Sequence, residues 1–176
     1  MDVATPVVQE FFDQYARSRS AMDSDRIASQ YAASCMFAGP DGAQVAEKSA
    51  VLAGFPKALE LLKTVGHTST KLASLNETRV DERYAMVRAQ FVWRFEKAAA
   101  PPIDVKVDST FILYIKDGAP RLSFNMSTRI SGTRCERAAC CPCRDDSVER
   151  LAWSQSQLQL LKTFEVDTTF FDQYKK

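Results

Sequence analysis

Two stretches, residues 84–96 and 105–115, alternate apolar and mixed side chains over their whole length, a pattern that only an extended strand turns into one apolar face. In the first, Ala85, Val87, Ala89, Phe91, Trp93 and Phe95 share one parity, while Tyr84, Met86, Arg88, Gln90, Val92, Arg94 and Glu96 share the other. In the second, Val105, Val107, Ser109, Phe111, Leu113 and Ile115 oppose Lys106, Asp108, Thr110, Ile112 and Tyr114. A sheet built from such strands needs helices against its apolar face. Its second face must then meet water, a partner subunit or a cavity.

The helices are found upstream. Thr5-Pro6 reads as a hydroxyl cap followed by proline at the first helical position, and Val8, Phe11, Phe12 and Tyr15 recur on one side of the helix that follows. Asp23 or Ser24 caps a second, shorter helix in which Ile27 and Tyr31 point the same way. A short strand over residues 34–38 meets the turn Gly39-Pro40-Asp41-Gly42 and returns through Gln44-Val45. From Glu47 to Val65 the period is helical again, with Gly66 as the terminating residue and Pro56 predicting a kink or break near Phe55. Strands over residues 68–78, 83–96, 103–115 and 120–124 complete the pattern, joined by connectors short enough to make neighbours antiparallel. This is an α+β architecture: three helices packed in a strongly curved mixed or antiparallel sheet, a cone-shaped barrel.

Composition narrows the partners. Lys+Arg 23 against Asp+Glu 22 leaves a net charge of +1, with no basic excess to neutralise a phosphate backbone, so nucleic acid is not expected as a partner. No basic leader precedes an apolar run, and no segment is apolar for the roughly 18 residues that a membrane helix needs. A cytoplasmic protein with no membrane partner is expected.

The pattern ends at Asn125. The run from Met126 to Cys143 fits no element that the preceding layers require. If Phe124 and Asn125 are written TTC AAC, restoring one C opens a second frame, Q-H-E-H-E-D-L-R-D-A-M-R-A-R-G-L-L-P-V-P, which is amphipathic and reaches a TGA stop when Asp145 is GAT. Residues 1–125 are therefore read as the domain and residues 126–176 as a frameshifted or non-native tail, in which Leu158, Leu161 and Phe164 could still form a helix against a dimer partner. Four of the five cysteines, Cys135, Cys140, Cys141 and Cys143, fall in that tail. Their C-x-x-C spacing suits zinc, but with a single distant histidine neither a metal site nor any cofactor is expected, and the odd thiol count argues against a disulfide framework. Cys35 reads as a small buried residue.

Several segments in this order resemble the nuclear transport factor 2-like superfamily, in particular its SnoaL-like members with a cystatin-like cone fold. They are Phe11-Phe12-Asp13-Gln14-Tyr15, Met36-Phe37-Ala38-Gly39-Pro40-Asp41-Gly42, Ser69-Thr70-Lys71-Leu72, Trp93-Arg94-Phe95-Glu96-Lys97 and Asp108-Ser109-Thr110-Phe111-Ile112-Leu113, within residues 5–124. The resemblance implies a bent sheet wrapped around helices with an open mouth, often dimerising through the sheet. It implies no single chemistry, since this scaffold hosts isomerases, cyclases, dehydratases, binding proteins and accessory subunits.

Three functions follow as expectations. The first is a homodimer that binds a small apolar molecule in a pocket walled by Tyr31, Phe37, Phe55, Phe91 and Trp93, with Tyr114 as a further ligand contact. The second is an isomerase, cyclase or dehydratase in which Asp108 moves a proton while Arg88 or Tyr114 stabilises developing charge. The third is an interaction module using the exposed sheet face. His67, at an element boundary, reads as a surface or capping residue. With one histidine and no glycine-rich loop, a hydrolase triad and a phosphate cradle are excluded.

Overall fold

The computed structural model describes residues 4–39, 42–97 and 100–132. Helix α1 spans Pro6–Ser20, α2 spans Ser24–Ser29 and α3 spans Lys48–Thr64; the strands are β1 Tyr31–Gly39, β2 Gly42–Glu47, β3 His67–Arg79, β4 Tyr84–Lys97, β5 Ala100–Lys116 and β6 Ala119–Gly132. The strands form one six-stranded sheet in the order β2-β1-β6-β5-β4-β3. All neighbours are antiparallel except β1 and β6, which run parallel. The sheet is thus mixed, and the β1–β6 ladder joins the β1–β2 hairpin to the four-strand meander.

The core lies where α1 meets the apolar parity of β4 and β5. Phe12 packs 5.0 Å from Phe111 and 6.4 Å from Phe91, and Tyr15 packs 5.6 Å from Phe91. Because β4 and β5 keep an unbroken register from Tyr84↔Tyr114 to Phe95↔Ile103, the alternation in the sequence becomes two distinct faces. Ala85, Val87, Ala89, Phe91, Val105, Val107, Phe111 and Leu113 are buried against the helices.

Local expectations meet the structure with several differences. Pro6 does occupy the first helical turn of α1, but the Thr5 hydroxyl does not cap the helix; it donates to Glu77 Oε2 at 2.8 Å, and the Thr5 backbone N–H donates to the same oxygen at 2.7 Å. Asp23 caps α2 through a bond from the Arg26 N–H. That helix ends at Ser29, so Tyr31 is not its last apolar residue but the first of β1. Helix α3 continues through Pro56 without breaking. It ends as its composition demands, with Gly66 at φ +88° just beyond the last turn, a conformation that glycine adopts without steric cost.

Strand β6 does not stop at Phe124. Its ladder to β5 continues to Gly132, and Asn125 lies opposite both Phe111 and Phe37, almost wholly buried. Pairing of this kind uses backbone groups that every non-proline residue carries, so a ladder can extend through sequence that lacks strand patterning. The expectations for Cys135, Cys140, Cys141 and Cys143, for Leu158, Leu161 and Phe164, and for most of the tail lie outside the described residues. Among the described residues no helix is long and apolar enough to cross a membrane.

Candidate functional site

The last turn of α1 carries a cation into the aromatic interior. Arg19 follows Tyr15 by four positions, so both project from the same side of the helix. Its guanidinium donates to the Tyr15 hydroxyl at 2.6 Å and to the Tyr31 hydroxyl at 3.4 Å. It lies 5.0 Å from the Tyr15 ring centroid and 5.7 Å from that of Phe55, within cation–π range of both. Tyr31 in turn packs 5.8 Å from Phe37 and 5.8 Å from Phe55. Three elements, α1, β1 and α3, therefore converge on one charged head surrounded by rings.

Beside this cluster β3 presents an imidazole to the interior. The β3–β4 register shifts between His67 and Ser69, so His67 pairs with Phe95 and Thr70 with Trp93, both on the helix-facing side. An extra residue in one strand turns two positions three apart to the same face. The His67 Nε2 lies 2.9 Å from the Thr70 hydroxyl, and the ring meets Trp93 and Phe95 edge to face at 5.8 and 5.6 Å. The bulge is anchored to α1: Ser20 donates its hydroxyl to the Thr70 carbonyl and accepts from the Thr70 N–H, both at 2.8 Å. Burial, with the Arg19 charge as a second cause, pushes the imidazole pKa down from 6.5 to about 4, so the ring is neutral near pH 7. Its Nδ1 is buried and has no hydrogen-bond partner.

Of the residues that the sequence singles out as ligand contacts, Tyr31, Phe37 and Phe55 meet around Arg19, and Trp93 lies against His67. Phe91 is deeper, held among Phe12, Tyr15 and Phe111. Asp108, Arg88 and Tyr114 are elsewhere. They belong to the opposite parity of β4 and β5, on the face turned away from the helices. There Asp108 accepts from the Gln90 side chain at 2.9 Å, Tyr114 stacks 5.4 Å from Tyr84, and Arg88 is exposed. Tyr114, expected as a further ligand contact, thus lies across the sheet from the rings together with Asp108 and Arg88, because the unbroken β4–β5 register keeps all three on the parity opposite Phe91 and Phe111. The described carboxylate that is buried on the helix side is Glu77, and it is engaged by Thr5 at the start of α1.

Sequence reasoning missed Arg19, and it read His67 as a surface or capping residue where the structure buries the ring. Arg19 had a usable signal, since it continues the Val8, Phe11, Phe12, Tyr15 stripe at the next helical step, where a charge is out of place. His67 had none, because its inward direction depends on a bulge that no local residue type announces. Among the described residues no group of three or more His, Cys, Asp or Glu could hold a metal ion.

Residues 4–121 match a family described as NTF2-like protein (DUF6841). No match was found among proteins of curated function. Among solved structures, a variant of Rv3472, a protein of unknown function from Mycobacterium tuberculosis, is 14% identical with a TM-score of 0.60, covering 90% of this chain and 86% of that one. Aln2 from a Streptomyces species is 15% identical with a TM-score of 0.60, over 73% of this chain and 94% of that one. A protein from Novosphingobium aromaticivorans, named for a proposed scytalone dehydratase activity, is 14% identical with a TM-score of 0.57, over 73% and 86%. At these identities the likeness is one of fold.

Proposed function

We propose, for a chain that belongs to the NTF2-like family (DUF6841), that its interior binds a small, largely apolar molecule between the helices and the sheet. One observation carries the reading: the His67 Nδ1 is buried against Trp93 and Phe95 with no hydrogen-bond partner, in a wall otherwise made of aromatic rings. An unsatisfied buried nitrogen costs about 1–3 kcal/mol, which a ligand atom would recover on binding. Tyr31, Phe37, Phe55 and Trp93 would supply the apolar contact.

Proton transfer is the weaker alternative. The fold neighbour named for scytalone dehydratase activity brings dehydratase chemistry to mind. However, a general base works best with a pKa near the working pH, and an imidazole held at about 4 is a poor one. Asp108 and Arg88, the other candidates for acid–base and charge-stabilising roles, lie on the far face of the sheet. We propose that this far face, where Tyr84 lies opposite Tyr114 and Met86 opposite Ile112, forms a homodimer contact, a reading supported by the apolar side chains it carries.

The experiment is saturable uptake of Nile red, a neutral polarity-sensitive dye, followed by fluorescence. Phe37→Ser should weaken uptake by roughly tenfold through lost apolar contact, and Asp108→Asn should leave it unchanged. Absence of saturable uptake, or equal loss in the two variants, would refute interior binding.

A further inference from the structure

We infer that the interior site selects a flat, largely apolar acid, an aromatic carboxylate or an acidic phenol, whose anionic oxygen is shared by the Arg19 guanidinium and the His67 ring. The inference rests on the interior-binding reading above and names the ligand class for it.

Three features of the site favour that class. The Arg19 head is held over two ring faces and fixed by the Tyr15 hydroxyl, so its charge is fixed in place within the aromatic wall. A cation so placed favours an anionic oxygen and repels a second cation, more strongly than it would in water. Second, the hydrogen bonding closes with an acid. If the Thr70 hydroxyl donates to Nε2, the proton of the neutral ring resides on Nδ1, and a ligand oxygen accepts from it. A wholly apolar ligand would leave that nitrogen unsatisfied. Third, Tyr31, Phe37, Phe55 and Trp93 present rings, against which a planar body stacks with more contact than a branched chain.

The groups acting on the imidazole can be named from each element packed against it. Thr70 contributes a hydroxyl from β3, Trp93 and Phe95 contribute rings from β4, and Arg19 acts from α1. Of the charged side chains of α3, Lys57, Glu60 and Lys63 are exposed, and Lys48, half-buried, stands at the opposite end of the helix from Gly66 and His67. An anion bound beside Arg19 therefore offsets the one charge that opposes protonation of His67.

The test uses the full chain, with benzoate, neutral benzamide and cationic benzamidinium as competitors of Nile red and imidazole NMR as the second readout. The chain contains one histidine, so the signal needs no assignment. Benzoate should displace the dye at least roughly tenfold more tightly than benzamide, benzamidinium should not compete, and benzoate should shift the imidazole resonances and raise the His67 pKa. Arg19→Gln should remove the preference for benzoate over benzamide, and Arg19→Lys, which keeps the charge, should retain most of it. Equal binding of benzoate and benzamide, or benzoate binding that leaves the imidazole unmoved, would overturn the inference. Dye uptake with no competition from benzoate would end the acid assignment and leave interior binding standing. No uptake of dye or acid would end both.

Discussion

The His67 ring nitrogen lies 2.9 Å from the hydroxyl of Thr70, three residues along the same strand, and the two are brought together by the bulge at the start of β3. A regular strand would send residues three apart to opposite faces. This one irregularity places a titratable ring inside the fold, and the charge behaviour of the interior follows from it.

Stability should therefore fall as pH is lowered through the window from 6.5 to about 4 by an amount traceable to His67. In that window the unfolded chain holds a proton on this ring that the folded chain does not, so the folded state loses ground as the pH drops, and the loss levels off below the folded value. At ~1.4 kcal/mol per pH unit the total is on the order of 3 kcal/mol. Urea denaturation across pH 4–7 for the parent and for His67→Gln checks this. The difference between the two curves should change with pH in the stated direction, and parallel curves would contradict it.

Glu77 ties the start of α1 to β3 by accepting two bonds from Thr5 on one carboxylate oxygen, at 2.7 and 2.8 Å. Hydrogen bonds to a charged group contribute more than neutral ones, so Glu77→Ala should cost about 2–4 kcal/mol and Thr5→Val about 1 kcal/mol. Denaturation gives the total, and faster amide exchange in the first turn of α1 would localise it. A cost for Glu77→Ala within experimental error would show that the carboxylate does not hold the helix.

Phe12 is fully buried and contacts Phe11, Tyr15, Phe91 and Phe111. Its truncation to alanine should cost roughly 3–5 kcal/mol, the range for a large ring removed from a packed core. Val45→Ala, at a side chain 64% exposed on the edge strand β2, should change stability by less than about 0.5 kcal/mol. Calorimetric Tm values rank the two.

The outer face of β4 and β5 pairs Met86 with Ile112 and Tyr84 with Tyr114. Ile112→Lys should leave the protein folded and convert a dimer to a monomer, because a lysine placed at the centre of an apolar contact must be desolvated. Sedimentation equilibrium of the two forms decides it. A parent protein that is monomeric throughout the micromolar range would remove the assignment.

Sequence by itself determined the elements and the two faces of the sheet. Proline at the start of α1, Asp23 at the cap of α2 and Gly66 beyond α3 act within a few residues, and so does the parity of β4 and β5; each is readable because its cause is local. What tertiary structure alone decided was which distant groups meet. The parallel β1–β6 ladder, the Thr5–Glu77 bonds across 72 positions and the inward turn of His67 all depend on long-range pairing or on a bulge. The candidate site divides along the same line. Tyr31, Phe37, Phe55 and Trp93 were visible as apolar residues of the buried pattern, whereas Tyr114, expected as a further contact, lies across the sheet with Asp108 and Arg88 on the mixed parity that the alternation assigns to all three. An alternating pattern specifies that two faces differ, and only the packed helices settle which polar group is enclosed with the rings.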